Sequence, residues 1–133
     1  AVIPTAEVAS PEVIIETDIV RKGTREGGNL IGVDVSFFKL SNLDIADGKI
    51  FTERQLKWAD PVCIIGNAVK ARFFSGEDPI GKYIKCGHLW LKVTGTLKEM
   101  NISDKAMENL SIRNYNMEVY APVRTLLVRY RNR

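Results

Sequence analysis

The sequence predicts an α+β domain: a mixed, mostly antiparallel sheet of about five to seven strands, with short helices against one face. Three observations lead there. Short runs rich in Val and Ile, or alternating apolar with polar, recur from Pro11 to Pro122. Glycine-bearing turns join neighbouring runs as hairpins, around Gly23 and again at Gly87-His88. The helical signals between them are brief and carry their own start and stop residues. A chain of 133 residues suits one domain that buries roughly two-thirds of its unfolded surface without staples.

The elements follow in order. Pro11 to Val20 places Val13, Ile15, Thr17 and Ile19 on one face and reads as a long strand. Gly23 and Gly27-Gly28 bracket Thr24-Arg25-Glu26 as a turn, after which Asn29 to Asp34 forms a second strand pairing with the first. Ser36 caps a short helical turn bearing Phe37, Phe38 and Leu40, and Asp47-Gly48 marks the next bend. Thr52-Glu53-Arg54-Gln55 matches a capping box, in which hydroxyl and amide satisfy the free N–H groups of a helix start. Asp60-Pro61 closes that helix, because a residue before proline is pushed out of the helical region. Val62-Cys63-Ile64-Ile65 is a continuous apolar run of strand length, and Gly66-Asn67 leads into a helix holding Val69, Phe73 and Phe74.

Beyond a turn over Asp78 to Lys82, Tyr83 to Cys86 and Leu89 to Leu97 alternate about Gly87-His88, with Leu89, Leu91 and Val93 on one face. Lys98 to Met117 lacks a clear period and reads as a mobile excursion, while Glu118 to Pro122 returns as a strand. Val123, Leu126, Leu127 and Tyr130 have the i, i+3, i+4, i+7 spacing of a helix stripe, more often core than partner surface. The core candidates are Phe37, Phe38, Val62, Ile64, Phe73, Ile80, Leu91 and Val93.

Composition narrows the function. No apolar run approaches the 18 or so residues of a membrane helix, and no signal-peptide pattern opens the chain. The start at Ala1-Val2-Ile3-Pro4, without methionine, reads as an excised piece of something larger. Of the +3 net charge, Arg124, Arg129, Arg131 and Arg133 supply four units, leaving −1 on the rest. That distribution is a solvated basic end and not the footprint of a nucleic-acid binder, which stays as an alternative resting on those arginines alone. Cys63 and Cys86 form no zinc pattern, and as apolar-run cysteines they read as core thiols, with one disulfide the other option.

The most suggestive motif is Gly76 to Tyr83, one residue from the phosphate-binding pattern G-x-x-x-x-G-K-[ST]. Its setting argues against a cofactor. Tyr83 stands where a metal-reaching hydroxyl is needed, a helix precedes the loop where a strand is needed, and Glu77 and Asp78 repel phosphate. Pro79 has no N–H to donate. The segment reads as a tight structural turn, and a nucleotide-binding enzyme using Gly76 to Lys82 is the alternative. His88 falls at a turn tip without a nucleophile or carboxylate placed to use it, and Asp44, Asp47, Glu77 and Asp78 flank turns as solvated turn-formers. No catalytic, cofactor-binding or metal-binding residue is assigned, and no partner-binding residue is identified.

The order of these signals resembles a known family. Gly32-Val33 and Phe37-Phe38, Asp47-Gly48-Lys49 with Phe51-Thr52, Val62 to Gly66, Phe73-Phe74 with Asp78-Pro79-Ile80-Gly81-Lys82, Leu91 to Leu97, and Val119 to Pro122 are similar to the MacB-like periplasmic core domain. That domain belongs to ABC transporter permeases of the MacB, LolC/E and FtsX superfamily. The likeness runs from about Leu30 to Arg131, and the Asp-Pro-Ile-Gly-Lys turn is its most specific part.

The resemblance implies that residues 1–133 are a single extracytoplasmic domain, a fragment of a larger permease. It implies a place on the periplasmic side of the inner membrane, anchored through the parent chain, and no catalysis in the domain itself. ATP is then hydrolysed by a separate ABC ATPase domain or subunit. Implied partners are a periplasmic adaptor, a substrate or lipoprotein, and a second permease in a homo- or heterodimer, with no nucleic acid. The implied work is export, lipoprotein release or activation of a periplasmic partner.

Overall fold

The computed structural model describes residues 13–34, 44–98 and 118–130. The described residues form seven strands: β1 (Val13–Arg21), β2 (Thr24–Val33), β3 (Ile45–Gly48), β4 (Val62–Ile65), β5 (Tyr83–Cys86), β6 (Leu89–Leu97) and β7 (Glu118–Pro122). The helices are α1 (Glu53–Lys57), α2 (Asn67–Phe73) and α3 (Val123–Thr125), the last continued by a wide π-type turn over Leu126–Tyr130. The strands make one mixed sheet in the order β3-β6-β4-β7-β2-β1-β5. Only β2–β7 and β4–β6 run parallel; the other pairings are antiparallel.

The sheet also returns on itself. β5 bonds to β1 through Ile19↔Cys86 and Val20↔Lys85, and to β6 through four residue pairs from Tyr83↔Lys92 to Cys86↔Leu89. Six strands therefore close a hydrogen-bonded circuit, with β3 added on β6. Closure removes the exposed edges that an open sheet would leave on those strands where they are paired.

Local chemistry explains the elements. In the β1–β2 hairpin only Lys22 and Gly23 lie between the paired Arg21 and Thr24, with φ of 48° and 84°. Two left-handed residues in succession give the turn whose twist matches the strands it joins. This corrects the sequence expectation, which placed the turn over Gly23 to Gly28: Gly27 and Gly28 instead pair with Asp18 and Thr17 inside the ladder. One tight turn was enough, so Gly27-Gly28 had no bend to make.

The Thr52 capping box forms as expected, with Gln55 N–H donating to Thr52 Oγ1 at 3.1 Å and Thr52 N–H to Gln55 Oε1 at 2.9 Å. Helix α1 stops before Asp60-Pro61. Ala59 takes φ 54°, and Asp60 N–H reaches back to the Gln55 carbonyl at 3.1 Å, an end usually built on glycine.

Two apolar clusters hold the sheet. The larger gathers Ile19, Leu30, Cys63, Ile65, Ile84, Leu91, Val93 and Val119 from the strands with Val69 and Phe73 of α2, Phe74, and Leu126. The second gathers Ile31, Val33, Phe51, Val62, Ile64, Leu97 and Tyr120, with Leu56 of α1 packed against it. β4 contributes to both, because all four of its residues are buried. Of the sequence-derived core, Val62, Ile64, Phe73, Leu91 and Val93 are buried and Ile80 is partly so. Phe37, Phe38 and the turn capped by Ser36 lie outside the described residues, as does the excursion over 99–117.

The final stripe differs from its expected form. Leu126 is fully buried, but Leu127 is 42% exposed. The π-type turn rotates each residue through a smaller angle than an α-helix does, so the i+3/i+4 spacing no longer keeps Leu127 on the inner face.

Two substitutions test this packing. Ile64→Asp places a carboxylate at a fully buried position of β4, a cost of several kcal/mol against a total stability of roughly 5–15 kcal/mol, and thermal melting should find the chain unfolded at room temperature. Gly48 has φ +81°, and an added Cβ there would sit 2.2 Å from the Thr94 carbonyl oxygen and 2.7 Å from Gly95 Cα. Gly48→Ala should therefore cost about 3 kcal/mol or more, read as a large fall in urea midpoint without a change of slope.

Candidate interaction surface

The glycine–lysine turn between α2 and β5 is built as scaffold. Glu77 N–H donates to the Phe74 carbonyl, Gly81 N–H to Val93 and Lys82 N–H to Pro79, at 2.9, 2.8 and 3.0 Å. Ile80 N–H bonds Asp78 Oδ1 at 3.1 Å. The N–H groups of Glu77, Ile80, Gly81 and Lys82 are thus directed to the protein's own oxygens. Lys82 Nζ donates to the Asp78 carbonyl at 2.6 Å and lies 3.8 Å from Glu77. Tyr83 then starts β5 with its ring outward.

Arg21 anchors this region. It is 8% exposed, donates to the Phe73 carbonyl at 2.8 Å, and makes two 3.0 Å bonds to the Glu77 carboxylate. Its guanidinium lies 4.1 Å from the centroid of the Phe74 ring. The Arg21 hydrogen bonds, helped by the charges of Arg21, Lys22 and Lys82, hold the Glu77 carboxyl below its usual range. Nothing local in the sequence marks Arg21, whose partners stand 52 and 56 positions away.

The other sequence candidates fall into structural roles. Asp47 lies 3.8 Å from Lys70 Nζ, and Glu77 is committed to Arg21. His88 is exposed at its hairpin tip, with its ring 4.6 Å from that of Tyr130. Arg129 Nε donates to the Ala59 carbonyl at 2.6 Å, so one of the terminal arginines fixes α3 to the end of α1. Arg131 and Arg133 lie outside the described residues. Cys63 and Cys86 are buried and unbonded. Burial pushes both thiols up, Cys86 to about 12, and Cys63 is raised further by its neighbour Cys86. No trio of His, Cys, Asp and Glu among the described residues is placed to hold a metal ion.

What the surface offers is apolar contact area. Trp58, Tyr83 and Trp90 are 63%, 53% and 56% exposed. Trp58 stands at the end of α1 beside the α3 turn, whose Thr125 hydroxyl bonds the Asp60 carbonyl at 2.7 Å, and Leu127 and Val128 are exposed on that turn. Tyr83 and Trp90 belong to the outer face of the β5–β6 hairpin, next to Lys92 and Lys85. The sequence reading named no partner-contacting residue, although the alternation that sends Leu89, Leu91 and Val93 inward sends Trp90 and Lys92 outward by the same rule. No helix among the described residues is long and apolar enough to cross a membrane.

Fold and surface together give a closed mixed sheet with aromatic side chains exposed on the β5–β6 hairpin and at the end of α1. Residues 1–133 match the model of the MacB-like periplasmic core domain. The chain belongs to that family, the periplasmic domains of MacB-like ABC transporter permeases. It is 29% identical over 107 residues to a macrolide export ATP-binding/permease protein MacB of Syntrophobacter fumaroxidans, covering 79% of this chain and 15% of the relative. It is 35% identical over 95 residues to a MacB of Rhodopirellula baltica, covering 70% of this chain and 14% of that one. The chain thus spans about a seventh of these relatives' length. The extracellular domain of the ABC-type transporter YknZ from Gram-positive bacteria shares the fold with TM-score 0.75 at 20% identity, over 91% of this chain and 57% of that one. The periplasmic region of MacB from Actinobacillus actinomycetemcomitans does so with TM-score 0.73 at 21% identity, over 90% and 50%.

The Arg21–Glu77 pair has a pH signature. Glu77 has a depressed folded-state pKa, so its contribution to stability is present above the unfolded carboxylate value and is lost as pH falls through the folded one. Arg21→Met should destabilise the chain at neutral pH. The gap between the melting curves of wild type and variant should narrow as the solution is acidified below the usual carboxylate range, leaving the part due to the Phe73 carbonyl and Phe74 ring, whereas a gap constant with pH would remove Glu77 from the account.

Proposed function

We propose that this domain is the extracytoplasmic module of an ABC transporter permease, held outside the inner membrane between transmembrane helices of its parent chain. ATP hydrolysis takes place in a separate nucleotide-binding domain or subunit. Movement of the membrane helices carries the module, which grips or releases a substrate, an adaptor or another periplasmic partner. The observation that carries this reading is the match of residues 1–133 to the core-domain family.

The geometry is suited to such work. A lever needs stiffness, and the closed strand circuit with apolar packing on both faces of β4 supplies it. A contact module needs preorganised anchors, and Trp58, Tyr83 and Trp90 stand on or beside regular elements. Among export, lipoprotein release and activation of a periplasmic enzyme, export is favoured by the relatives' names, which include macrolide and pyoverdine export proteins. A permease dimer and a periplasmic adaptor are the partners this role calls for.

The complete gene tests the reading directly. It should encode apolar stretches of about 20 residues flanking this segment, with an ATPase in the same gene or beside it. A reading frame lacking both overturns the proposal. Calorimetry with ATP and magnesium on the 133-residue chain should give no binding heat. A saturable signal lost in Lys82→Ala would instead establish the turn as a nucleotide site.

A further inference from the structure

The outer face of the β5–β6 hairpin carries a checkerboard of two aromatics and two cations. Tyr83 pairs across the ladder with Lys92, and Lys85 with Trp90. Lys85 Nζ lies 5.8 Å from the Trp90 ring, within reach of a cation–π contact. Behind them Ile84, Cys86, Leu89 and Leu91 are buried in the larger cluster, so the strands that present the four side chains are fixed.

Among the described residues, the two lysines of this face are in no ion pair; the pairs present run through Arg21, Lys22, Arg25, Lys70, Arg72 and Lys82. A partner that covered Tyr83 and Trp90 would also bury the lysine stems and must neutralise two ammonium groups.

Resting on the reading of this domain as a contact module, we propose that the Tyr83–Lys85–Trp90–Lys92 face docks an acidic protein surface. Its apolar side chains cover the two rings, and its aspartate or glutamate side chains pair with the two lysines. A basic partner would meet like charge, which costs affinity and supplies specificity. A lipid surface fits less well. Insertion needs apolar tips that project, but here each ring stands across the ladder from a lysine, and the hairpin tip is Gly87-His88, with the His88 ring 4.6 Å from that of Tyr130. Two rings of about 150–250 Å² each make a small anchor. Such a patch belongs to the low end of interface sizes, where contacts form and release readily.

Trp58→Phe leaves Trp90 as the single tryptophan of a chain that has two, so its emission reports the face directly. In that background, a synthetic amphipathic glutamate–leucine helix should shift the Trp90 emission to the blue in a saturable, salt-sensitive titration. The matching lysine–leucine helix should not. Lys85→Glu with Lys92→Glu should weaken the first interaction by about tenfold or more and create binding to the lysine–leucine helix. Tyr83→Ala, which leaves every charge in place, should weaken the first interaction as well. Equal binding of both helices, no shift with either, or a shift with phosphatidylglycerol vesicles alone would each overturn the proposal, the last by assigning the face to a membrane. None of these failures touches the permease reading, which the flanking gene sequence decides.

Discussion

A single buried cation organises the fold. Arg21 sits at the end of β1, where that strand meets β5 through only two residue pairs. Its guanidinium bonds a carbonyl at the end of α2, one of the acceptors that a helix leaves unsatisfied, and grips Glu77 in the turn that follows. A guanidinium held at 8% exposure is tolerable because carbonyl, carboxylate and the Phe74 face all meet it. Hairpin, helix and turn are thereby fastened at one point, and the strand circuit closes beside it. The same contact engages Glu77 within the glycine–lysine turn.

Closure has functional weight. A sheet whose ends pair with each other resists shear between strands, and β4, buried on both faces, lets the two apolar clusters share one wall. Side chains outside that wall are then fixed in position relative to one another. Under the proposed role of transmitting displacement, the useful property is that contact residues move together. The buried thiols fit this view: raised by desolvation, they behave as small core side chains and not as nucleophiles.

The surface divides into two apolar regions of different character. Around Trp58, Leu127 and Val128 the exposed apolar groups stand with Lys57, whose Nζ lies 5.7 Å from the Trp58 ring, on short helical turns tied together by Thr125 and Arg129. On the β5–β6 face, aromatics alternate with lysines on regular strands. The first suits coverage by any apolar neighbour. The second, on the proposed reading, discriminates by charge.

Much of this was legible in the residue order. Period-two alternation gave β1, β5 and β6 and their inward faces; the apolar run Val62 to Ile65 gave the doubly buried β4; Thr52 and Gln55 gave the start of α1; and Pro79 with Asp78 marked a turn, because each of these signals acts over a few residues. The family likeness was legible for the same reason, being carried by local turn motifs. What tertiary structure alone decided was everything that depends on distant partners. Lys22-Gly23 made the hairpin bend and left Gly27-Gly28 in the ladder, a choice set by register along the whole of β1 and β2. The wide turn at Leu126 exposed Leu127 against its helical spacing. Arg21, indistinguishable in sequence from any surface arginine, became the buried fastening once Phe73, Phe74 and Glu77 were folded around it, and among the described residues Lys85 and Lys92 were left outside the ion pairs that the other cations make. Sequence fixes what neighbours along the chain can do to one another; burial and electrostatic pairing are properties of neighbours in space.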